Sequence, residues 1–184
     1  MKPIPILLYV LLFSILSSCK DSNKKDVKLN PSWQKLSLPN GWVIYTPKEF
    51  KMKTIQGVDS EPGFIYSKKD SIRLEFDSGA NDYYYDKHCD LHENFSRVKA
   101  NIDTGLHEKP YQVPSVNRAF IDTIDGRISL MIRPIHTGHG IVNVSTGDCS
   151  HGAWLGITGT NLSEKQEKLV LEIYKTIRLV KASD

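Results

Sequence analysis

Two histidines at helical spacing are the first candidates for chemistry. His88 and His92 are four positions apart with a cysteine between them, and on a helix both imidazoles would face one side, as zinc ligands can. Three further histidines, His136, His139 and His151, lie near polar turns and could join such a site. One hypothesis is therefore a metal-binding protein or a metal-dependent hydrolase. The alternative is a set of exposed loop histidines, since the segment around His88 lacks convincing helical periodicity.

Three consecutive tyrosines are the candidate binding residues. Tyr83, Tyr84 and Tyr85 stand between two aspartates, and tyrosine is enriched at interfaces, so an exposed patch could bind a protein, a peptide or a glycan. The alternative is a strand that buries Tyr84 alone, or Tyr83 together with Tyr85. The sequence contains no His-Glu-x-x-His, Cys-x-x-Cys or Gly-x-Ser-x-Gly motif and no phosphate-binding glycine loop. It therefore indicates no catalytic residue and no cofactor.

The N-terminus has the organisation of an export signal. A positive start is followed by an apolar run, Ile6 to Leu16, and then by Leu16-Ser17-Ser18-Cys19, which predicts a signal peptide over residues 1–18. As a helix the apolar run would span roughly 17 Å, too short for about 30 Å of hydrocarbon. The tetrapeptide resembles the lipobox of bacterial lipoproteins. That resemblance implies that Cys19 is lipidated with acyl chains such as palmitate; the alternative is an ordinary secretory signal.

The other two cysteines predict a disulfide. Cys89 and Cys149 are 60 positions apart, and an exported chain meets an oxidising compartment such as the periplasm. Closing a loop of that length would stabilise the fold by roughly 4 kcal/mol in the loop-entropy model. The alternative is a pair of free buried thiols.

The segment after the cysteine is a predicted tether. Residues 19–30 are mostly polar, and such a segment cannot bury enough apolar surface to offset its ordering entropy. Residues 31–184 have the length of one domain. The formal net charge of the chain is +3, and acidic residues are interleaved with basic ones. Nothing in this pattern favours a nucleic-acid partner.

Alternating apolar residues predict a sheet with one buried face. The predicted strands are Trp42–Tyr45, Gly63–Tyr66, Ser71–Phe76, Arg127–Ile132, Ile141–Val144 and Ala153–Ile157. Short turns between strands favour antiparallel pairing, and Asp125-Gly126 is the strongest hairpin signal. Trp42 and Trp154 are predicted to lie in the core or on a sheet face.

A C-terminal helix is predicted from its capping residues and its apolar stripe. Ser163 and Gln166 form a Ser-x-x-Gln capping box, and apolar residues recur at helical spacing from Leu169 to Ile177. Lys175 and Arg178 would lie in the last turn, where cations favour the helix dipole. The predicted fold class is α+β, with a mostly antiparallel sheet packed against this helix.

Several short motifs resemble those of small Bacteroidetes-type lipoproteins of unknown function. They are Leu36 to Pro39, Trp42 to Pro47, Gly57 to Gly63, Ile124 to Arg127, Ile157 to Ser163 and Ile173 to Ile177. That group resembles the Mog1/PsbP-like fold, an α/β/α sandwich whose members serve as binding and assembly factors without a common active site. The resemblance implies a fold and a location, but fold alone does not specify function.

The sequence thus favours a membrane-anchored lipoprotein of the cell envelope that acts as a non-catalytic binding or accessory module. Its expected partners are the membrane, reached through the lipid anchor, and an envelope protein, peptide or glycan. Lys20 after the lipidated cysteine fits outer-membrane sorting by resemblance to other lipoproteins. The competing class is the metal-dependent one, with His88 and His92 as candidate ligands.

Overall fold

The computed structural model describes residues 29–79, 96, 116–148 and 153–180. The predicted signal peptide, the lipidated cysteine and most of the tether lie outside these residues. So do several candidate side chains: Tyr83, Tyr84, Tyr85, His88, Cys89, His92, Cys149 and His151. The hypotheses on them therefore stay predictions.

The described residues form antiparallel β-sheets and a C-terminal helix, which confirms the predicted α+β class. The strands are β1 (Gln34–Ser37), β2 (Trp42–Thr46), β3 (Lys51–Thr54), β4 (Gly63–Ser67), β5 (Ile72–Ser78), β6 (Asn117–Ile124), β7 (Arg127–Pro134), β8 (Ile141–Asp148), β9 (Ala153–Thr160) and β10 (Arg178–Leu179). The helix, α1, spans Glu164–Tyr174. No helix in the described part of the chain has the length and apolar character needed to cross a bilayer.

Seven strands make the larger sheet, in the order β3-β4-β5-β9-β8-β7-β6. Every neighbouring pair in it is antiparallel. On β5 burial alternates strictly, with Ile72, Leu74 and Phe76 inside and Arg73 and Glu75 exposed. The period of two that predicted this strand therefore also fixes which side chains face the core.

The hairpin between β6 and β7 is the one that Asp125-Gly126 predicts. Both residues have positive φ angles, 52° for Asp125 and 75° for Gly126, as a type I′ turn requires at its two central positions. Asp125 also accepts hydrogen bonds from the backbone N–H of Leu179 and from the guanidinium of Arg127. The turn thus ties the end of the chain to the larger sheet.

One face of the larger sheet is covered by α1 and by a smaller sheet, and we call it the first face. The smaller sheet has the order β1-β2-β10. Its Ile44 lies in one buried cluster with Leu74 and Ile157 of the larger sheet and with Ile173 of α1. Glu167, which is 4% exposed, accepts two hydrogen bonds from Arg133 on β7, at 2.8 and 2.5 Å. Apolar burial and this ion pair together hold the helix against the sheet.

Helix α1 begins as its capping residues predict but ends earlier than its apolar stripe suggests. The N–H of Ser163 donates to Oε1 of Gln166 at 2.8 Å, whereas the last helical residue is Tyr174. The expectation that Arg178 lies in the last turn is wrong, because Arg178 pairs with Val43 in the smaller sheet. The hydroxyl of Thr176 donates to the carbonyl of Ile173 at 2.6 Å, a side-chain contact that competes with continued helix.

Candidate functional site

The opposite side of the larger sheet, which we call the second face, is buried at one end and exposed at the other. On β7 and β8, Leu130, Ile132 and Ser145 lie on this face and are each at most 1% exposed. On β5, Arg73 and Glu75 lie on the same face and are exposed. Strands β3, β4 and β5 thus present the open part of the second face.

Strand register places cations beside aromatic rings on this open part. Residues directly opposite each other on neighbouring strands share a face. Two rows run across the three strands, Lys51–Tyr66–Arg73 and Lys53–Phe64–Glu75. The lysines are exposed and the aromatic rings are half-buried. The rings therefore lie closer to the sheet than the charged groups on either side.

A groove of about 440 Å³ lies on this surface, and we call it the basic groove. Its volume is in the range of ligand-binding clefts. It is lined by Lys53, Phe64, Tyr66, Ser67, Lys68, Ser71, Ile72 and Arg73. The lining contains three cationic side chains and two aromatic rings, and none of its residues is a carboxylate. An anion entering the groove would therefore meet attractive charge from the lining, with Glu75 beside Arg73 as the neighbouring acid outside the lining.

Arg73 is held flat above an aromatic ring. Its guanidinium carbon lies 3.6 Å from the centroid of the Phe64 ring, the geometry of a stacked cation–π contact. Its other charged contact is with Glu75 at 3.4 Å, and both side chains are more than half exposed, so this surface ion pair is worth at most about 1 kcal/mol. Stacking fixes the plane of the guanidinium, and a carboxylate or phosphate that accepts two parallel hydrogen bonds from its edge would compete with the weak contact to Glu75.

The groove has the chemistry of an anion-binding site. The hydroxyl of Ser67 donates to Oδ2 of Asp70 at 2.7 Å and also accepts the N–H of Asp70 at 3.1 Å, which closes the turn between β4 and β5. No histidine or cysteine lines the groove. The lining residues are thus equipped to hold an anion in place.

A second, larger cavity lies at the other end of β5 and has the opposite charge. It measures about 670 Å³, and its acidic side chains are Asp59 and Glu61 in the loop after β3. Its buried hydroxyl, Ser78, accepts a hydrogen bond from Asn40 at 3.1 Å and lies 3.1 Å from the carbonyl of Trp154. The buried hydroxyl is thus already engaged within the protein, and we do not assign this cavity a ligand.

Of the histidines considered as metal ligands, two fall in the described part of the chain. His136 and His139 are both exposed, and their backbones form a tight turn in which the N–H of His139 donates to the carbonyl of His136 at 3.2 Å. Among the described residues, no group of three or more His, Cys, Asp or Glu side chains is placed to hold a metal ion. The basic groove is built instead from residues that motif reasoning passed over.

Comparison with known proteins identifies no family. No family model matches the chain, and a search of curated proteins finds no significant match. The function is therefore inferred from the chemistry of the surface and from the sequence signals at the N-terminus.

Proposed function

We propose that this protein is a lipid-anchored module of the bacterial cell envelope that binds an anionic partner in the basic groove without catalysing a reaction. The observation that carries the proposal is the groove lining, with Lys53, Lys68 and Arg73 around two aromatic rings and no carboxylate. The stacked geometry of Arg73 supports it further, because a guanidinium fixed by a ring keeps its donors free for a ligand.

Charge reversal within the groove tests the binding role. Alginate, a carboxylated polysaccharide, and poly-glutamate are suitable anionic probes, and binding can be followed by fluorescence anisotropy at about 0.15 M salt, where the Debye length is about 8 Å. We expect Arg73→Glu to weaken binding of at least one probe by about tenfold or more, since it removes one charge-assisted contact and adds repulsion.

The matched control is Arg118→Glu, which makes the same substitution at an exposed position of β6. Strand β6 lies five strands from β4 in the larger sheet, roughly 24 Å away. This variant should alter binding by less than about twofold, because exposed charges a Debye length apart are largely screened. Equal losses in the two variants would mean that only the overall charge matters, and the groove would then not be the site.

The anchoring part of the proposal rests on the N-terminal sequence. The order of a positive start, an apolar run and Leu16-Ser17-Ser18-Cys19 supports cleavage before Cys19 and acylation of that residue. Attachment by more than one acyl chain would make membrane binding stable. Mass spectrometry of the protein from a bacterial membrane fraction should show an acylated N-terminal Cys19, and Cys19→Ser should accumulate with its leader uncut. An unacylated wild-type protein would refute this.

We also propose that the domain has a Mog1/PsbP-like fold in its finer detail. The seven-stranded antiparallel sheet with α1 on the first face supports this, and the buried Leu130 and Ile132 fit a sheet whose second face is covered in part. An experimental structure of the mature chain is the test. A second face that lacks a helical layer would rule out the α/β/α arrangement.

The cysteine pair is a further part of the proposal. We expect Cys89 and Cys149 to form a disulfide in the exported protein, because the compartment is oxidising and Cys19 would be occupied by lipid. Peptide mass spectrometry without reductant should find the two cysteine peptides as one species. Recovery of both as separately alkylated thiols would contradict the pairing.

A further inference from the structure

Strand β3 is one of the two edge strands of the larger sheet in the described part of the chain, and β6 is the other. Strand β3 pairs with β4 alone, and three of its four residues, Lys51, Lys53 and Thr54, are exposed. An unpaired edge of this kind presents backbone N–H and C=O groups to which another extended chain can add.

The alternation of backbone hydrogen bonds between β3 and β4 shows which backbone groups of β3 point away from the sheet. The N–H of Ile55 donates to the carbonyl of Pro62 at 2.8 Å, and opposed residues in an antiparallel pair alternate between bonded and unbonded positions. Lys51 and Lys53 therefore direct their backbone groups toward β4. Met52 and Thr54 direct theirs away from the sheet, where they can pair with an added strand.

The side chains of β3 determine which side chains an added strand needs in order to bind. Lys51 and Lys53 project on the second face beside the basic groove, whereas Met52 lies on the first face and packs against the core cluster. The two lysines would repel the same lysines on a second copy of β3, so self-association at this edge is disfavoured. The same two charges complement an added strand whose residues on the second face are acidic.

We infer that β3 binds an extended acidic segment of a partner protein by strand addition. The segment has an acidic–apolar–acidic pattern, in which the two carboxylates lie against Lys51 and Lys53 and the apolar side chain lies beside Met52. This inference rests on the proposed function, because it names the partner chemistry for the same basic surface. It requires an extended segment, since side chains at positions i and i+2 of a helix do not lie on one side.

The distances fit this arrangement. Alternate residues of a strand are about 6.7 Å apart along its axis, so carboxylates at i and i+2 of a partner strand have the spacing of the two lysines. Tyr66 and Phe64 lie on β4 next to the lysines, with Arg73 one strand further on. A partner strand at the edge thus places its acidic side at the mouth of the basic groove.

Two peptides of identical composition test the inference against the mature lipoprotein in detergent micelles. The first is Thr-Glu-Val-Glu-Thr with blocked ends, and the second is its isomer Thr-Glu-Glu-Val-Thr, whose adjacent carboxylates point to opposite faces. We expect the first peptide to bind about fivefold more tightly, because one additional cross-strand ion pair changes affinity by up to that factor. Equal affinities would overturn the inference.

Two further measurements separate strand addition from simple charge attraction. A version of the first peptide with N-methyl-valine keeps both carboxylates but loses the central N–H that would donate to the carbonyl of Met52, and we expect it to lose most of its binding. Bound peptide should also slow hydrogen exchange at the amides of Met52 and Thr54, because those groups point outward in the free protein. Unchanged exchange at both amides would overturn the inference.

Charge-reversed variants and the alginate probe distinguish failure of this inference from failure of the proposed function. Lys51→Glu with Lys53→Glu should lose the acidic peptide and gain Thr-Lys-Val-Lys-Thr, whereas Arg118→Glu should do neither. If alginate binds in an Arg73-dependent way and no acidic peptide binds, the inference fails and the proposed function stands. If neither alginate, poly-glutamate nor the peptides bind, both fail.

Discussion

Replacing Tyr174 with phenylalanine should make the protein less stable at neutral pH and more resistant to alkali. The ring of Tyr174 is fully buried at the end of α1, and its hydroxyl lies 3.1 Å from the carbonyl oxygens of both Val142 and Ile157. Phenylalanine keeps the ring and removes only the hydrogen bond. Such a loss costs about 1–2 kcal/mol, which lowers the melting temperature of a domain of this size by roughly 2–8 °C.

The pH dependence follows from the burial of the same hydroxyl. Burial raises the pKa of Tyr174 well above its ordinary value, because a phenolate would lose its hydration. The folded state therefore keeps this proton at a pH at which the unfolded chain releases it. The resulting stability is complete below about pH 10 and falls above it by about 1.4 kcal/mol per pH unit. Tyr174→Phe lacks this loss, so the two stabilities should become equal near pH 11.

Urea unfolding of the wild type and Tyr174→Phe, followed by circular dichroism at intervals from pH 7 to about 11.5, measures this convergence. Tyr66→Phe is a suitable control at pH 7, because its ring is only half-buried at the basic groove, and the change should cost less than about 0.5 kcal/mol. A stability difference between wild type and Tyr174→Phe that stays constant across the whole range would refute the reasoning.

Two further substitutions test how the helix and the sheet are packed. Arg133→Met should cost about 2 kcal/mol in urea unfolding, because Glu167 would keep a buried charge without this partner, and adding Glu167→Leu should recover most of that loss; an additive double variant would contradict the pairing. Gly147→Ala should cost about 1–3 kcal/mol, because a Cβ at this position would clash with the ring of Trp154. Thermal unfolding measures it, and Gly147→Ala should cost much less when it is made in a Trp154→Leu background, because the ring that the new Cβ meets is then absent. An equal cost in the two backgrounds would disprove the clash.

Long alternating strands and strong turns could be predicted from the sequence, whereas short strands that depend on a neighbour could not. The alternation of β5 and the φ angles demanded by Asp125-Gly126 are local properties. By contrast, β10 consists of two residues and exists because Arg178 and Leu179 pair with β2. Strand β3 has a single apolar residue, Met52, between two lysines, so its pattern alone resembles a polar loop. Tertiary pairing decides both.

The candidate site could not be predicted from the sequence, for a related reason. Each strand of the basic groove shows its own alternation, such as Phe64 and Tyr66 on β4, but the register between strands decides what lies beside them. Lys53 is opposite Phe64, and Tyr66 is opposite Arg73. Motif searches look for residues at fixed sequence spacing, whereas this groove depends on pairs 11 and 7 positions apart that only the folded sheet brings together.

The start of the domain lies next to the strand that we propose as the docking edge. The side-chain amide of Gln34, at the beginning of β1, donates to the carbonyl of Phe50 at 2.6 Å, and Phe50 immediately precedes β3. The predicted tether of residues 19–30 would therefore join the domain on the side where β3 begins. If Cys19 is acylated as we propose, twelve residues reach at most about 40 Å from the membrane. On that proposal a partner segment bound at β3 would lie near the membrane surface, which favours partners attached to the same membrane.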